Sequence, residues 1–337
     1  MSQPFRLGFL THVEGAGDSR PIYQDALALF TAADEMGFDV GWVAEHHFKE
    51  KVGRLPSPFP FLAAASQCTR DIHLGTAVAV LPFENPLRLA EDAAFVDTLS
   101  GGRLELGVGS GLDPAEFKAF GVDVSERLPR TTEGLQVLKR ALRGEALGES
   151  ALQLNPPAPA LTERIWQSGQ SIVGAQHVAR AGSGLLLSRS IIGPSTDVPT
   201  DAQQVPTVEA YLKTWDEAGH AAGKARVGMS RGIYPAADKR TALTHLREDV
   251  LRVAASQKNR YPAGESLESY CRRLHIFYGH PDEVAAEMQE DKIFPFATDI
   301  ILQFSPVIPP LDEAIHILEQ VATQVAPALG WQRQPRS

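Results

Sequence analysis

Short, nearly continuous apolar runs alternate along the chain with longer segments in which apolar residues recur every three or four positions. The first kind suits a strand covered on both faces, and the second is the stripe a helix lays against it. Arg6–Thr11 reads as the first strand, and Ile22, Ala26, Leu29, Phe30 and Ala33 mark the core face of the helix that follows, with Gly37 as its stop. Residues 40–48, Val-Gly-Trp-Val-Ala-Glu-His-His-Phe, predict a second buried strand that surfaces through three ionisable groups. Beyond a loop punctuated by prolines from Pro56 to Pro60, a helix over 62–67 leads to a third strand over 72–81. Pro86 opens a helix to Leu99, since its missing N–H costs nothing in a first turn, and Ser100-Gly101-Gly102 closes it.

A fourth strand over 103–109 leaves as Gly107-Val108-Gly109-Ser110-Gly111. A helix over 131–142 and a link holding Pro156, Pro157 and Pro159 precede a fifth strand, Ile165–Ser168, whose helix spans 171–181. Strands over 184–188, 226–234 and Asp299–Phe304 bring the number to eight. Eight strands, each followed by a helical or loop segment, predict an α/β fold of the (β/α)8 TIM-barrel kind with loop insertions, in one domain over 1–337. Two segments, 193–205 and 256–270, exceed ordinary loop length and are expected to be mobile lids or binding loops.

Composition narrows the partners. The 337 residues suit a barrel with insertions, and 32 Lys and Arg against 41 Asp and Glu leave a net charge of -9 with no basic run to track a phosphate backbone. Nucleic acid is not an expected partner. Cys68 and Cys271 stand far apart without a CxxC, which argues against a disulfide framework or a thiolate metal site and fits the reduced cytoplasm. With no basic leader and no apolar run of about 18 residues, neither secretion nor a membrane span is expected.

Barrels keep their chemistry at strand exits. Glu45, His46 and His47 arrive together at one, either as chemistry or as ordinary loop polars with a satisfied core histidine among them. Neighbours on extended chain face opposite ways, so His46 and His47 do not chelate a metal, and no metal site is expected. One ring facing the barrel mouth would serve as a neutral acid or base near pH 7. The Gly107 to Gly111 run lacks the dinucleotide fingerprint, because Leu112 stands where the third glycine belongs. As a strand exit it would still let a flat ligand or a phosphate approach the backbone. Gly169-Gln170-Ser171 turns from strand into helix, where unpaired amides attract an anion or Ser171 simply caps the helix. Arg189 is a further candidate for anion charge, or a solvated surface residue.

These motifs resemble a known family. Glu45-His46-His47-Phe48, Leu74-Gly75-Thr76-Ala77-Val78, Val80-Leu81-Pro82, the Pro86 to Asp92 segment, Ser100-Gly101-Gly102-Arg103-Leu104 and Gly107 to Gly111 follow the order and spacing of bacterial luciferase-like flavin monooxygenases. They are most similar to the luciferase α-subunit branch, and Gly279-His280-Pro281-Asp282-Glu283 resembles the family's late Gly-x-Pro-x-Glu element. The resemblance covers most of the chain except the two long loops. It implies a barrel that takes reduced FMN from a separate flavin reductase and uses it with O2 on a small organic substrate, such as an aldehyde or ketone, and it implies a homodimer. His46 matches the catalytic histidine and His47 its close neighbour. Ala77-Val78, after Thr76, matches a non-proline cis peptide beneath the flavin ring, and Gln170-Ser171, with Gly169 before them, match the phosphate-holding segment.

Two departures stand out. Ser110 replaces an arginine that helps hold the phosphate, which implies either a weaker grip on FMN or a role filled by Arg189 or another base, and Gly109 replaces a cysteine that faces the flavin. One alternative on the same barrel is an oxidoreductase using the deazaflavin F420, whose polyanionic tail calls for a more basic mouth than Lys49, Lys51 and Arg54 provide. A non-catalytic flavin-binding or partner subunit is the other, and the retention of His46 counts against it.

Overall fold

A computed structural model describes residues 5–48, 53–149, 151–191, 198–257 and 261–333. Its strands are β1 (Arg6–Thr11), β2 (Val40–Val43), β3 (His73–Thr76), β4 (Ala79–Val80), β5 (Leu104–Gly109), β6 (Ile165–Ser168), β7 (Gly184–Leu187), β8 (Val227–Pro235), β9 (Ile276–Gly279) and β10 (Asp299–Phe304). β10 pairs in parallel with both β1 and β8, so the sheet returns on itself. β3 and β4 are two pieces of one stave, both paired with β5, and β9 is an addition to β8. Eight staves therefore make a closed parallel barrel, a (β/α)8 TIM barrel.

The helices between them are α1 (Ser19–Met36), α2 (Pro58–Cys68), α3 (Pro86–Leu99), α4 (Pro114–Ala119), α5 (Arg127–Leu142), α6 (Ile172–Arg180), α7 (Thr200–Glu217), α8 (Lys239–Ser256), α9 (Leu267–Arg273), α10 (Pro281–Gln289), α11 (Leu311–Gln320) and the short α12 (Ala326–Ala328). Among the described residues no helix is long and apolar enough to cross a membrane.

Three sequence expectations need correction. The third strand is not one run over 72–81, because the chain breaks at Ala77-Val78 between β3 and β4. α7 begins at Thr200, inside the segment read as loop from 193 to 205, and α9 begins at Leu267, inside the second such segment. Residues 193–197 and 258–260, like Lys49 and Lys51, lie outside the described residues.

The chain divides into two compact units, one of Met1–Thr11, Ala32–Val40 and Gly169–Ser337, the other of His12–Thr31 and Gly41–Ser168. In the second unit the core is built on two indoles. Trp42 and Trp166 meet edge to face at 5.8 Å, and a Cβ on Gly75 would lie 2.2 Å from Trp42 Cε3, so only glycine lets that indole lie against β3. Trp166 Nε1 donates to the buried Glu105 carboxylate at 2.7 Å, whose other oxygen meets His73 Nδ1 at 3.1 Å. In the first unit the corresponding feature is ionic. Arg231 on β8 is wholly buried and donates to Asp291 at 2.7 and 3.1 Å, to Gln204 on α7 at 3.1 Å and to the Ser230 carbonyl at 2.7 Å. His275 Nε2 approaches the same Asp291 carboxylate at 3.3 Å.

Candidate active site

β2 delivers its three ionisable residues in three different settings. Glu45 and His47 are buried, and His46 between them is half-buried. The alternation of an extended chain sends the two imidazoles apart, so the pair forms no chelate. His46 Nε2 meets Nδ1 of His12 at 2.9 Å, with ring centroids 5.1 Å apart and planes tilted by 30°. His12 was not foreseen from sequence. It follows β1 as His46 follows β2, and the strand-exit rule applied to the first strand would have found it.

His47 turns the other way. Its Nε2 bonds Glu45 Oε1 at 2.8 Å, and its ring lies 4.7 Å from Phe120, 5.8 Å from Phe83 and 5.7 Å from Phe48. Burial pushes this imidazole toward its neutral form, but the hydrogen bond and charge of Glu45, with Glu116 and Glu84 beyond, outweigh that and hold its pKa above the ordinary histidine value. A raised pKa contributes stability that is full below the unfolded value of about 6.5 and fades as pH climbs past the folded value. Replacing His47 by Ala leaves the Glu45 carboxylate buried without this partner. Unfolding free energy should drop by about 1–3 kcal/mol, measured by urea titration.

Glu45 also ties the histidines to the next stave. Its Oε2 accepts from the Val80 amide at 3.4 Å, a long bond, and the Ala77 amide donates to the Val43 carbonyl at 2.7 Å. The Ala77-Val78 peptide is cis, as the resemblance implied, and both residues are half-buried while Thr76 before them and Ala79 after them are buried. The Thr76 hydroxyl donates to the Gly107 carbonyl at 2.7 Å and accepts from the Gly107 amide at 2.9 Å, which locks β3 to β5 below this step. Thr76 therefore serves the wall and does not face outward.

Gly109 is bare for a local reason. A Cβ there would lie 2.3 Å from Val78 Cγ2 and 3.1 Å from Ser168 Oγ, so the space a side chain at this position would need is filled by Val78. Gly109→Cys should destabilise the fold by about 1–3 kcal/mol through overpacking. Adding Val78→Ala should recover most of that, as read from denaturant midpoints of the single and double variants. Ser110, the next residue, is half-buried.

The remaining candidates belong to the other unit. A Cβ on Gly169 would lie 2.6 Å from Leu185 Cδ1, and its amide donates to the Leu186 carbonyl at 3.3 Å, so the strand end packs backbone-close on β7. Gln170 is half-buried and Ser171 exposed. The Ser171 hydroxyl accepts from the Gly174 amide at 3.1 Å and caps α6. Arg189 is held in place, its Nε donating to Gln303 at 2.9 Å and its Nη1 to Ser305 at 3.0 Å. One unit thus holds bare backbone and the imidazoles after β1 to β5, and the other a capped helix start and a fixed guanidinium after β6 and β7.

Residues 5–299 match the luciferase-like monooxygenase family, and the chain belongs to it. A 4-hydroxyprotoasukamycin monooxygenase of Streptomyces nodosus subsp. asukaensis is 36% identical over 155 residues, 43% of this chain and 41% of that protein. The chain spans about two-fifths of the length of the curated relatives it matches. Among solved structures, the monooxygenase RslO1 from Streptomyces bottropensis superposes with a TM-score of 0.78 at 26% identity, over 96% of this chain and 99% of that one. The oxygenating constituent of 3,6-diketocamphane monooxygenase from the CAM plasmid of Pseudomonas putida, solved with FMN, gives 0.78 at 16% identity, over 98% and 100%. An F420-dependent secondary alcohol dehydrogenase gives 0.71 at 19%, over 97% and 99%. The last two are likenesses of fold.

Proposed function

We propose that this chain is an FMN-dependent monooxygenase, which receives reduced flavin from a separate reductase and oxidises a small organic substrate such as an aldehyde or ketone with O2. The observation that carries the reading is the hydrogen-bonded imidazole pair at the exits of β1 and β2, His12 Nδ1 to His46 Nε2 at 2.9 Å. Such a pair can hold and pass a proton near neutral pH, for which a subunit that only binds flavin has no need. Reduced flavin, when bound, supplies the electrons that activate O2. The chain supplies the surroundings.

The residues present fit that group. Half-buried Ala77 and Val78 beside the bare Gly109 offer a flat surface for a ring, and the Gly169 to Ser171 turn offers the amides of the α6 start to a phosphate. Ser110 follows Gly109 directly in sequence, and Arg189, held by Gln303 and Ser305, lies just beyond β7. His46 holds or moves the proton, and the aromatic packing around His47 keeps water from the buried Glu45. FMN is favoured over the deazaflavin because Arg54, the described cation of the candidate basic mouth, donates to the Gly17 carbonyl at 2.6 Å and to Ser19 at 3.3 Å. A polyanionic tail would have to displace these bonds.

The test is an anaerobic titration of the purified chain with reduced FMN and, in parallel, reduced deazaflavin, followed by aeration with long-chain aldehydes or cyclic ketones under labelled O2. Tighter binding of FMN and label in the organic product are expected. Tighter binding of deazaflavin, or oxygenated product equally abundant without the protein, would overturn the reading.

A further inference from the structure

Besides its bond to His12, His46 is confined on another side by a backbone that has no side chain. A Cβ on Gly53 would lie 2.5 Å from His46 Cδ2 and 2.6 Å from the His12 carbonyl oxygen, so only glycine lets this segment close over the His46 ring and the His12 backbone. The segment is pinned at three points. The Arg54 amide donates to the Val13 carbonyl at 3.0 Å, the His46 amide to the Leu55 carbonyl at 3.0 Å, and the Tyr23 hydroxyl to the Arg54 carbonyl at 2.6 Å. Residues 12–13, 46 and 53–55 therefore form one small frame around the imidazole pair.

We infer that His12 is a positioning residue for His46, fixing its ring plane and tying its tautomer to the place of the shared proton through the Nδ1 to Nε2 hydrogen bond, with Gly53 kept bare to admit the ring. A bond between two imidazoles needs one nitrogen to donate and the other to accept, so both rings cannot be protonated at the shared position while it lasts. One proton sits between them, and the tautomer of each ring follows from where it sits. With Nε2 committed to His12, Nδ1 is the atom at which His46 exchanges a proton with anything else, and His12 is the group that resets it afterwards. A neutral histidine without such a partner populates both tautomers and presents the wrong nitrogen for part of the time. The role in turnover rests on the function proposed above, whereas the pairing itself does not.

The experiment uses the full chain with 15N-labelled histidine. A 15N–15N coupling across the hydrogen bond, and shifts that mark one protonated and one bare nitrogen on each ring, are expected without any cofactor. His12→Leu should collapse the His46 shifts toward the tautomer average. His12→Asn, whose amide falls near the place of Nδ1, should keep His46 in a single tautomer. With reduced FMN and O2, the reoxidation rate of bound flavin should change about 10- to 100-fold in His12→Leu, the usual cost of losing an orienting partner, and return to within about threefold of wild type in His12→Asn. Circular dichroism establishes that both variants fold. Absence of the coupling with averaged shifts in the wild type would overturn the pairing. A coupling that is present, with His12→Leu unchanged in rate while His46→Ala is impaired, would overturn the positioning role. If the wild-type chain fails to bind reduced FMN at all, the proposed function fails, and the labelled spectra still decide the pairing.

Discussion

His46→Ala should fold, keep most of its flavin affinity, and lose turnover by about 10²–10⁴-fold, the usual contribution of a general acid or base. The side chain is half-buried at a strand exit, and its removal opens a small space beside Gly53 and His12. Its backbone amide continues to bond the Leu55 carbonyl whatever the side chain. Electrons drawn from flavin would then leave as peroxide without oxygenating the substrate. The measurement is kcat at saturating reduced flavin together with peroxide released per flavin consumed. Turnover equal to wild type would leave the binding-subunit reading as the better one. The contrast with His47→Ala, which should lose stability and little rate, separates the two neighbours.

The largest effect on stability is expected at Asp291. Its carboxylate is about as buried as the Arg231 guanidinium it binds, at 1% and 0% side-chain exposure. Asp291→Ala strands that cation, and removing one partner of a buried pair costs about 3–5 kcal/mol. Arg231→Met together with Asp291→Leu should recover part of the loss, because no buried charge is then left uncompensated. Burial opposes ionisation of Asp291, yet hydrogen bonds from His275 and Arg231 and the positive charge of Arg231 prevail, and its pKa lies well below the ordinary carboxylate value. A depressed pKa stabilises the fold above the unfolded value of about 3.9, and that contribution is lost as pH falls below it. His275 is depressed as well, by burial, so its contribution is present above about 6.5 and declines as pH falls. Between pH 7 and 5 His275 therefore pulls urea midpoints down against the opposite contribution of His47, and His275→Gln should remove that downward component.

Much of the barrel was legible because its strands are covered on both faces and read as unbroken apolar runs. Arg6–Thr11, Ile165–Ser168 and Asp299–Phe304 fall where the pattern placed them, as does the helix Pro86–Leu99 between its proline and its Ser-Gly-Gly stop. α7 was hidden because its buried face is half polar, with Gln204, Thr207 and Thr214 beside Val208, Tyr211 and Trp215, and because Pro206 lies inside it. β9, an addition to β8 outside the eight staves, was not read from the sequence. The break in the third stave leaves no mark in a continuous apolar run, and only the family resemblance pointed to it.

At the site, adjacency was legible and partnership was not. Glu45, His46 and His47 announce themselves, but His46 pairs with a residue 34 positions earlier, and no local pattern encodes that. Arg231 sits inside an apolar run and binds Asp291 at a separation of 60 residues. An ionic core of this kind is a product of tertiary packing alone.

β8 carries a consequence for how the chain avoids its neighbours in a crowded solution. One edge of its nine residues pairs with β10 over 228–233, while the other is shared, by β7 at 227–229 and by β9 at 232–235. The inserted segment thus acts as a sheath over backbone donors and acceptors that would otherwise invite a strand from another molecule. A chain lacking residues 261–280 would bare that upper edge at Gly232 to Pro235, and light scattering should register self-association that the intact protein escapes.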